Sequence, residues 1–198
     1  MQTSTNTNIL ELMRQTNGLL EGHFELSSGA HSDQYFQCAK LLQYPNIAEI
    51  IGYQLAQLIK TEVDTIISPA VGGLIIGHEV AKSLGKRFIF VERKNDTLSL
   101  RRGFEINNNE NVFIIEDVIT TAKSALETAL IVKQHGGIIK GYGCIIDRTN
   151  KSRDLTISSL LKAQPKLYQP DNCPLCKQNI ALEKPGSKKI INKDLITV

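Results

Sequence analysis

Glu116 and Asp117 stand side by side at the end of an apolar run, Val112-Phe-Ile-Ile115, and the hydroxyls of Thr120, Thr121 and Ser124 follow closely. Adjacent carboxylates accept hydrogen bonds from sugar hydroxyls or hold a divalent cation. A hydroxyl-rich turn opening a helix presents N–H groups to a phosphate dianion. Carboxylates repel phosphate, so the pair and the turn must grip different parts of one ligand, and a ribose phosphate has both parts. The plainer alternative is a solvated turn with a helix N-cap. Ala122-Lys123-Ser124 echoes the end of a nucleotide-binding P-loop, but no glycine stands at Asp117 or beside it, which excludes that motif.

Four further stretches carry chemistry. Ser68-Pro-Ala-Val-Gly-Gly73 offers Gly72 and Gly73, where backbone can approach anionic oxygens closely; helix–strand packing would also use glycines there. Glu92 to Phe104 carries Arg93, Lys94, Arg101 and Arg102 and ends in Gly103. It reads either as a solvated hairpin or as a mobile lid delivering positive charge on closure. Gly22 to Gln37 mixes hydroxyls with aromatics that include Tyr35 and Phe36, a hood able to stack on a planar base or a simple hairpin. Asp147-Arg148 places a guanidinium where a substrate carboxylate could take a bidentate contact.

These residues need a frame. Asn8 and Glu11 have capping-box spacing before a helix through about Thr16, with Gly18 as its stop. Pro45 opens a second helix whose Ile47, Ile51, Leu55 and Ile59 share one face. Thr65 to Ile67 read as a strand, Leu74 to Leu84 as a helix stopped by Gly85, and Phe88 to Val91 as the next strand. A second such unit runs from the strand Val112 to Ile115 through a helix from about Ser124 to His135 into the strand Ile138 to Ile146. Apolar runs this short fit strands buried on both faces, so the expectation is an α/β fold with a doubly wound parallel sheet. Residues 1–198 are read as a single domain, with a small hood built from about 18–44 and parts of the C-terminal segment. The tail beyond about Lys184 looks loosely ordered.

Composition bounds the function. The chain has 198 residues, 41% hydrophobic and 22% charged, enough for a real core. A net charge of +3 without any block of like charges gives little support to nucleic-acid binding and suits an anionic small molecule. No apolar run approaches the ~20 residues of a membrane span, and the polar start lacks a signal-peptide pattern, so a cytoplasmic protein without membrane contact is expected. Four cysteines are too few for a disulfide framework. Cys173-Pro-Leu-Cys176 has metal-like spacing, but no second Cys-x-x-Cys or His pair completes four ligands. A plain surface loop is therefore expected there, a site completed across a dimer being the alternative.

The order of the first stretch, four apolar residues, two acids, two apolar positions, two threonines, two residues and a serine, resembles the phosphoribosyl-pyrophosphate signature of type I phosphoribosyltransferases. The usual Gly-Gly after the threonines is Ala122-Lys123 here. Over nearly the whole chain, Phe24-Glu-Leu-Ser-Ser-Gly29, Pro69-Ala-Val-Gly-Gly73, Glu92-Arg-Lys94, Leu100-Arg-Arg-Gly-Phe104, Ile146-Asp-Arg148 and the segment from Tyr168 through Cys173-Pro-Leu-Cys176 to Lys184-Pro-Gly-Ser187 resemble the orotate phosphoribosyltransferase family.

That resemblance implies transfer of a phosphoribosyl group from phosphoribosyl pyrophosphate to orotate, with Mg²⁺ held mainly by substrate rather than by direct protein ligands. It implies Glu116 and Asp117 on the ribose hydroxyls, and Thr120, Thr121, Ala122, Lys123 and Ser124 on the ribose phosphate. Arg93, Lys94, Gly72 and Gly73 fall to the pyrophosphate, Tyr35, Phe36 and Arg148 to the orotate, and Arg101 and Arg102, with Lys94, to catalysis from a lid. It further implies a homodimer in which each lid closes over the other subunit's site. A purine phosphoribosyltransferase and a regulator sensing phosphoribosyl pyrophosphate are the alternatives. The orotate-type hood and Asp147-Arg148 argue against the first, and the lack of a DNA-binding segment against the second.

Overall fold

The computed structural model describes residues 8–26, 28–95, 97–149 and 155–185. Ser27 of the hood, Asp96 of the basic stretch, and Gly186, Ser187 and the tail after them lie outside the described residues. In chain order the elements are α1 (Ile9–Gln15), β1 (Leu19–Glu25), β2 (His31–Phe36), α2 (Cys38–Leu42), α3 (Pro45–Ala56), β3 (Thr65–Pro69), α4 (Gly73–Leu84), β4 (Arg87–Lys94) and β5 (Thr97–Leu100). There follow β6 (Asn111–Ile119), α5 (Lys123–Gln134), β7 (Ile138–Asp147), β8 (Ile157–Lys162), β9 (Leu167–Tyr168) and α6 (Pro174–Lys177).

Among the described residues, 8–19 with 36–164 form one compact unit and 20–35 with 165–185 a second. The first is built on a six-stranded sheet in the order β5-β4-β3-β6-β7-β8, parallel except for the β4–β5 pair. Successive side chains of a strand point to opposite faces. Ile66, Phe113 and Ile115 accordingly join the α3 and α4 residues Ile51, Leu55, Ile76 and Val80 in one cluster. Ile67, Val112 and Ile114 join Ala125, Ala129 and Val132 of α5 in another. Helices thus cover both faces, as a doubly wound sheet requires, and this is why Val112 to Ile115 of β6 read as an uninterrupted apolar run.

The punctuation follows local chemistry. Asn8 Oδ1 accepts the N–H groups of Leu10 at 3.1 Å and Glu11 at 3.3 Å, capping α1. Glu11 accepts from Gln15 Nε2 at 3.1 Å. Gly85 stops α4 in the left-handed region at φ 62, and the Lys86 N–H reaches back to Ala81 O at 2.9 Å. Two expectations shift. The strand foreseen over Val112 to Ile115 runs on to Ile119, because pairing with β7 continues through Glu116↔Cys144, Val118↔Ile146 and Ile119↔Asp147. The acid pair therefore lies within the strand, and the turn expected to hold a phosphate is shorter. The stretch from Glu92 is also the hairpin of the plainer reading, with Arg93↔Leu98 and Lys94↔Thr97 paired across β4 and β5.

The second unit is a three-stranded sheet in the order β1-β2-β9, in which His31 pairs with Tyr168 and Ser32 with Leu167. Phe24 bridges to Glu183, and Lys184 Nζ pairs with Glu25 at 2.6 Å. Its buried residues, among those described, are His23, Phe24, His31, Ser32 and Cys173. That is a thin apolar core.

Candidate active site

Because β4, β3, β6 and β7 are parallel, their carboxyl ends share one edge of the sheet. The chain leaves β3 through α4 to β4 on one side, while β6, which sends α5 to β7, lies on the other. The strand order thus reverses between β3 and β6, the place where open α/β sheets bind ligands. The loop after β3 meets the acid pair there. A Cβ built on Gly72 would lie 2.7 Å from Asp117 Oδ1, so only a glycine allows the β3 loop to come this near the carboxylate. Gly73 is buried and opens α4, and the Ala70–Val71 peptide is cis.

Burial and the neighbouring Asp117 push the Glu116 carboxyl up to about 8. Burial also raises Asp117, against hydrogen bonds from its own N–H and that of Val118. At neutral pH Glu116 therefore holds its proton, and the pair carries less charge than two free carboxylates. A protonated acid beside a raised one can both donate to and accept from ribose hydroxyls. After the pair come the exposed Thr120 and Thr121, then Ala122 in the left-handed region at φ 56, then α5. No side chain caps α5. Its first N–H groups, at Lys123 and Ser124, keep the positive end of the helix available to an anion.

Ala122 stands where the related signature has a glycine, and its conformation explains that preference: a left-handed turn is required, and alanine takes it at a cost of about 1–2 kcal/mol. Its side chain is buried in a small cluster with Ile119 and Cys144.

Arg148 begins the loop after β7. Its N–H donates to Ile119 O at 2.8 Å, which fixes it beside the turn, and its guanidinium lies 5.5 Å from the Phe36 ring centroid. Asp147 accepts Thr149 N at 2.9 Å and Thr149 Oγ1 at 2.7 Å, holding that loop closed on itself. Tyr35 belongs to the second unit, where its ring lies 6.0 Å from that of Phe24.

The basic stretch is engaged elsewhere. Arg102 grips Glu92 through Nε at 2.9 Å and Nη2 at 2.8 Å and lies over the Phe90 ring; Arg101 Nη1 is 3.8 Å from the same carboxylate. The hydrogen bond from Arg102 holds the Glu92 carboxyl below its ordinary range. Arg93 pairs with Glu127 of α5, and Lys94 is exposed at the end of β4. The structure thus gathers Gly72, Gly73, Glu116, Asp117, Thr120 to Ser124 and Arg148 at one edge, and holds Arg93, Arg101 and Arg102 on acidic partners of their own unit.

One cluster escaped the sequence reading. Cys173, expected on a surface loop, is 1% exposed, and it meets Cys176, His23 and His31. No ligand-spacing pattern links a histidine pair on β1 and β2 to cysteines 150 residues away. The usable signal was two histidines in a stretch that also had to be folded against the C-terminal segment.

Among the described residues no helix is long and apolar enough to cross a membrane. A comparison with protein-family models finds no match. The chain is 45% identical over 185 residues to the orotate phosphoribosyltransferase of Caldanaerobacter subterraneus subsp. tengcongensis, covering 92% of this chain and 97% of that one. It is 44% identical over 183 residues to the orotate phosphoribosyltransferase of Thermotoga maritima, covering 91% and 98%. Among solved structures it is similar in fold to orotate phosphoribosyltransferase from Aeropyrum pernix, with a TM-score of 0.68 at 19% identity over 79% of this chain and 94% of that one. Identity at this level over almost the full length of both partners, on a sheet whose carboxyl edge carries the acid pair and the glycine loop, places the chain in the orotate phosphoribosyltransferase family.

Proposed function

We propose that this protein transfers the phosphoribosyl group of phosphoribosyl pyrophosphate to N1 of orotate, releasing pyrophosphate and forming orotidine monophosphate for pyrimidine synthesis. The observation that carries the reading is the approach of Gly72 to Asp117 at the strand-order reversal, next to an uncapped helix start. The acid pair takes the two ribose hydroxyls, the turn from Thr120 to Ser124 the ribose phosphate, and the Gly72-Gly73 loop the pyrophosphate. Arg148 receives the orotate carboxylate as a bidentate partner, with Phe36 beneath the guanidinium.

As the bond from the ribose to pyrophosphate breaks, positive charge builds on the sugar ring. The site works by positioning both substrates and stabilising the leaving group, so no side chain has to act as nucleophile. Two crowded carboxyls with raised pKa values fit a divalent cation nearby. Among the described residues no third acid joins them, so Mg²⁺ would be held chiefly by substrate oxygens beside Glu116 and Asp117. When bound it would offset pyrophosphate charge. Arg101, Arg102 and Lys94 act as the lid, exchanging Glu92 for pyrophosphate on closure, in a cytoplasmic homodimer whose subunits share lids.

The test is the loss of orotate absorbance on mixing purified protein with phosphoribosyl pyrophosphate and Mg²⁺, run beside uracil, adenine and hypoxanthine. Consumption of orotate alone is expected. Turnover of a purine without orotate, or binding of phosphoribosyl pyrophosphate with no turnover of any base, would overturn the assignment.

A further inference from the structure

We propose that His23, His31, Cys173 and Cys176 form a tetrahedral zinc site that holds the second unit together. The four ligand atoms all lie within 4.8 Å of one another. His23 Nε2 is 2.9 Å from His31 Nδ1, 3.5 Å from Cys173 Sγ and 3.7 Å from Cys176 Sγ, and Cys176 Sγ is 3.4 Å from His31 Nδ1. A tetrahedral zinc with bonds of about 2.0–2.1 Å to nitrogen and about 2.3 Å to sulfur separates its ligand atoms by about 3.3–3.8 Å. The four separations from 2.9 to 3.7 Å lie close to that size, and small side-chain shifts bring the whole set, which spans no more than 4.8 Å, around one ion.

The protonation pattern fits a cation. His23 Nδ1 lies 2.8 Å from Ile180 O, and a carbonyl can only accept, so Nδ1 carries the proton. In the neutral ring Nε2 then turns a bare lone pair toward His31 and both sulfurs. A backbone carbonyl fixing the remote ring nitrogen is the usual outer support of a zinc-bound histidine. Two nitrogens and two sulfurs in a tetrahedron select zinc among the common divalent ions, and four protein ligands leave no open position for catalysis. Binding displaces the two thiol protons to solvent.

The unit also needs such a bond. Phe24 is its one large buried apolar side chain among the described residues, a core too small to hold three strands. His23 sits on β1 and His31 on β2, while Cys173 is the N-cap of α6 and Cys176 lies within its single turn, where Pro174 sets the first helical position. One ion at this point ties together the two separate chain segments that make the unit. This site is independent of the phosphoribosyl chemistry proposed above.

Reduced protein from zinc-supplemented cells, dialysed against metal-free buffer, is expected to retain about one zinc per chain by elemental analysis. The double variant Cys173→Ser/Cys176→Ser should retain less than about a tenth of that. Folding of the variant need not be assumed, because the unaltered chain gives a second reading. Stripped with chelator under reductant and titrated with Co²⁺, it should develop thiolate-to-cobalt charge-transfer absorption that saturates at about one equivalent and disappears on adding Zn²⁺. Metal-free protein with no thiolate–cobalt absorption would overturn the proposal. So would full zinc retention in the double variant.

Discussion

Gly72 and Asp117 are close enough that a single methyl group on the glycine would reach 2.7 Å from the carboxylate oxygen. Gly72→Ala must push either the loop or the carboxylate aside. Displacements on this scale cost up to about 100-fold in rate, so kcat/KM for phosphoribosyl pyrophosphate should fall about 10- to 100-fold. Orotate affinity, measured directly, should hardly change. Equal losses for the two substrates would separate this loop from the pyrophosphate.

Glu116 gives the protein a pH signature. Its folded carboxyl is raised from 4.5 to about 8, so the folded state holds the proton more tightly than the unfolded chain. Its contribution to stability is full below pH 4.5 and is lost as pH rises through about 8. Glu116→Gln removes this dependence. The melting temperature of the variant minus that of the parent should therefore climb steadily across that window. A flat difference would mean the carboxyl titrates normally. Glu110 has the opposite sense: burial raises it, but hydrogen bonds from Thr65, Asn107 and Arg87 outweigh that and lower it, so its contribution is lost on the acid side and common to both proteins.

Arg148 should choose the base. Losing a charged hydrogen bond costs about 1.5–3 kcal/mol, so Arg148→Ala should shrink the preference for orotate over uracil roughly 10- to 100-fold. Competition between the two bases, followed by product analysis, measures this. An unchanged preference would move carboxylate recognition to another residue.

Arg101→Ala/Arg102→Ala should lower kcat strongly while leaving the melting temperature and orotate binding almost intact, since the lid contact belongs to the closed complex. In a dimer with shared lids, mixing this variant with Asp117→Asn chains restores one working site from two defective parents. Mixtures no more active than either parent would exclude a shared lid.

How far the residues announced this arrangement depends on whether the deciding force was local. Gly85 ends α4 because of its own backbone freedom, and Val112 to Ile115 are buried on two faces, so both could be read from the chain. The end of β6 could not, because partners on β7 decide it. β8 mixes serines with half-buried leucines at the sheet edge, and β9 has two residues, so neither has a periodic pattern to read. The acid pair and glycine loop stood out by type and spacing. The hold of Glu92 on Arg102 did not, since the basic stretch was read by its positive charge, and the carboxylate at its head is what pairs with that charge.

The second unit is assembled from residues 20–35 and 165–185, and Glu183 N donates to His23 O although most of the first unit's sequence separates them along the chain. During synthesis β1 and β2 emerge early yet lack β9, Cys173 and Cys176 until after β8 has been made. The large sheet can close beforehand, because β3 to β8 are contiguous in sequence. The connectivity therefore sets a hierarchy of loop closures: β3 to β8 pair between segments that follow one another along the chain, whereas the small unit joins His23 to Glu183, a closure of far greater length and entropic cost.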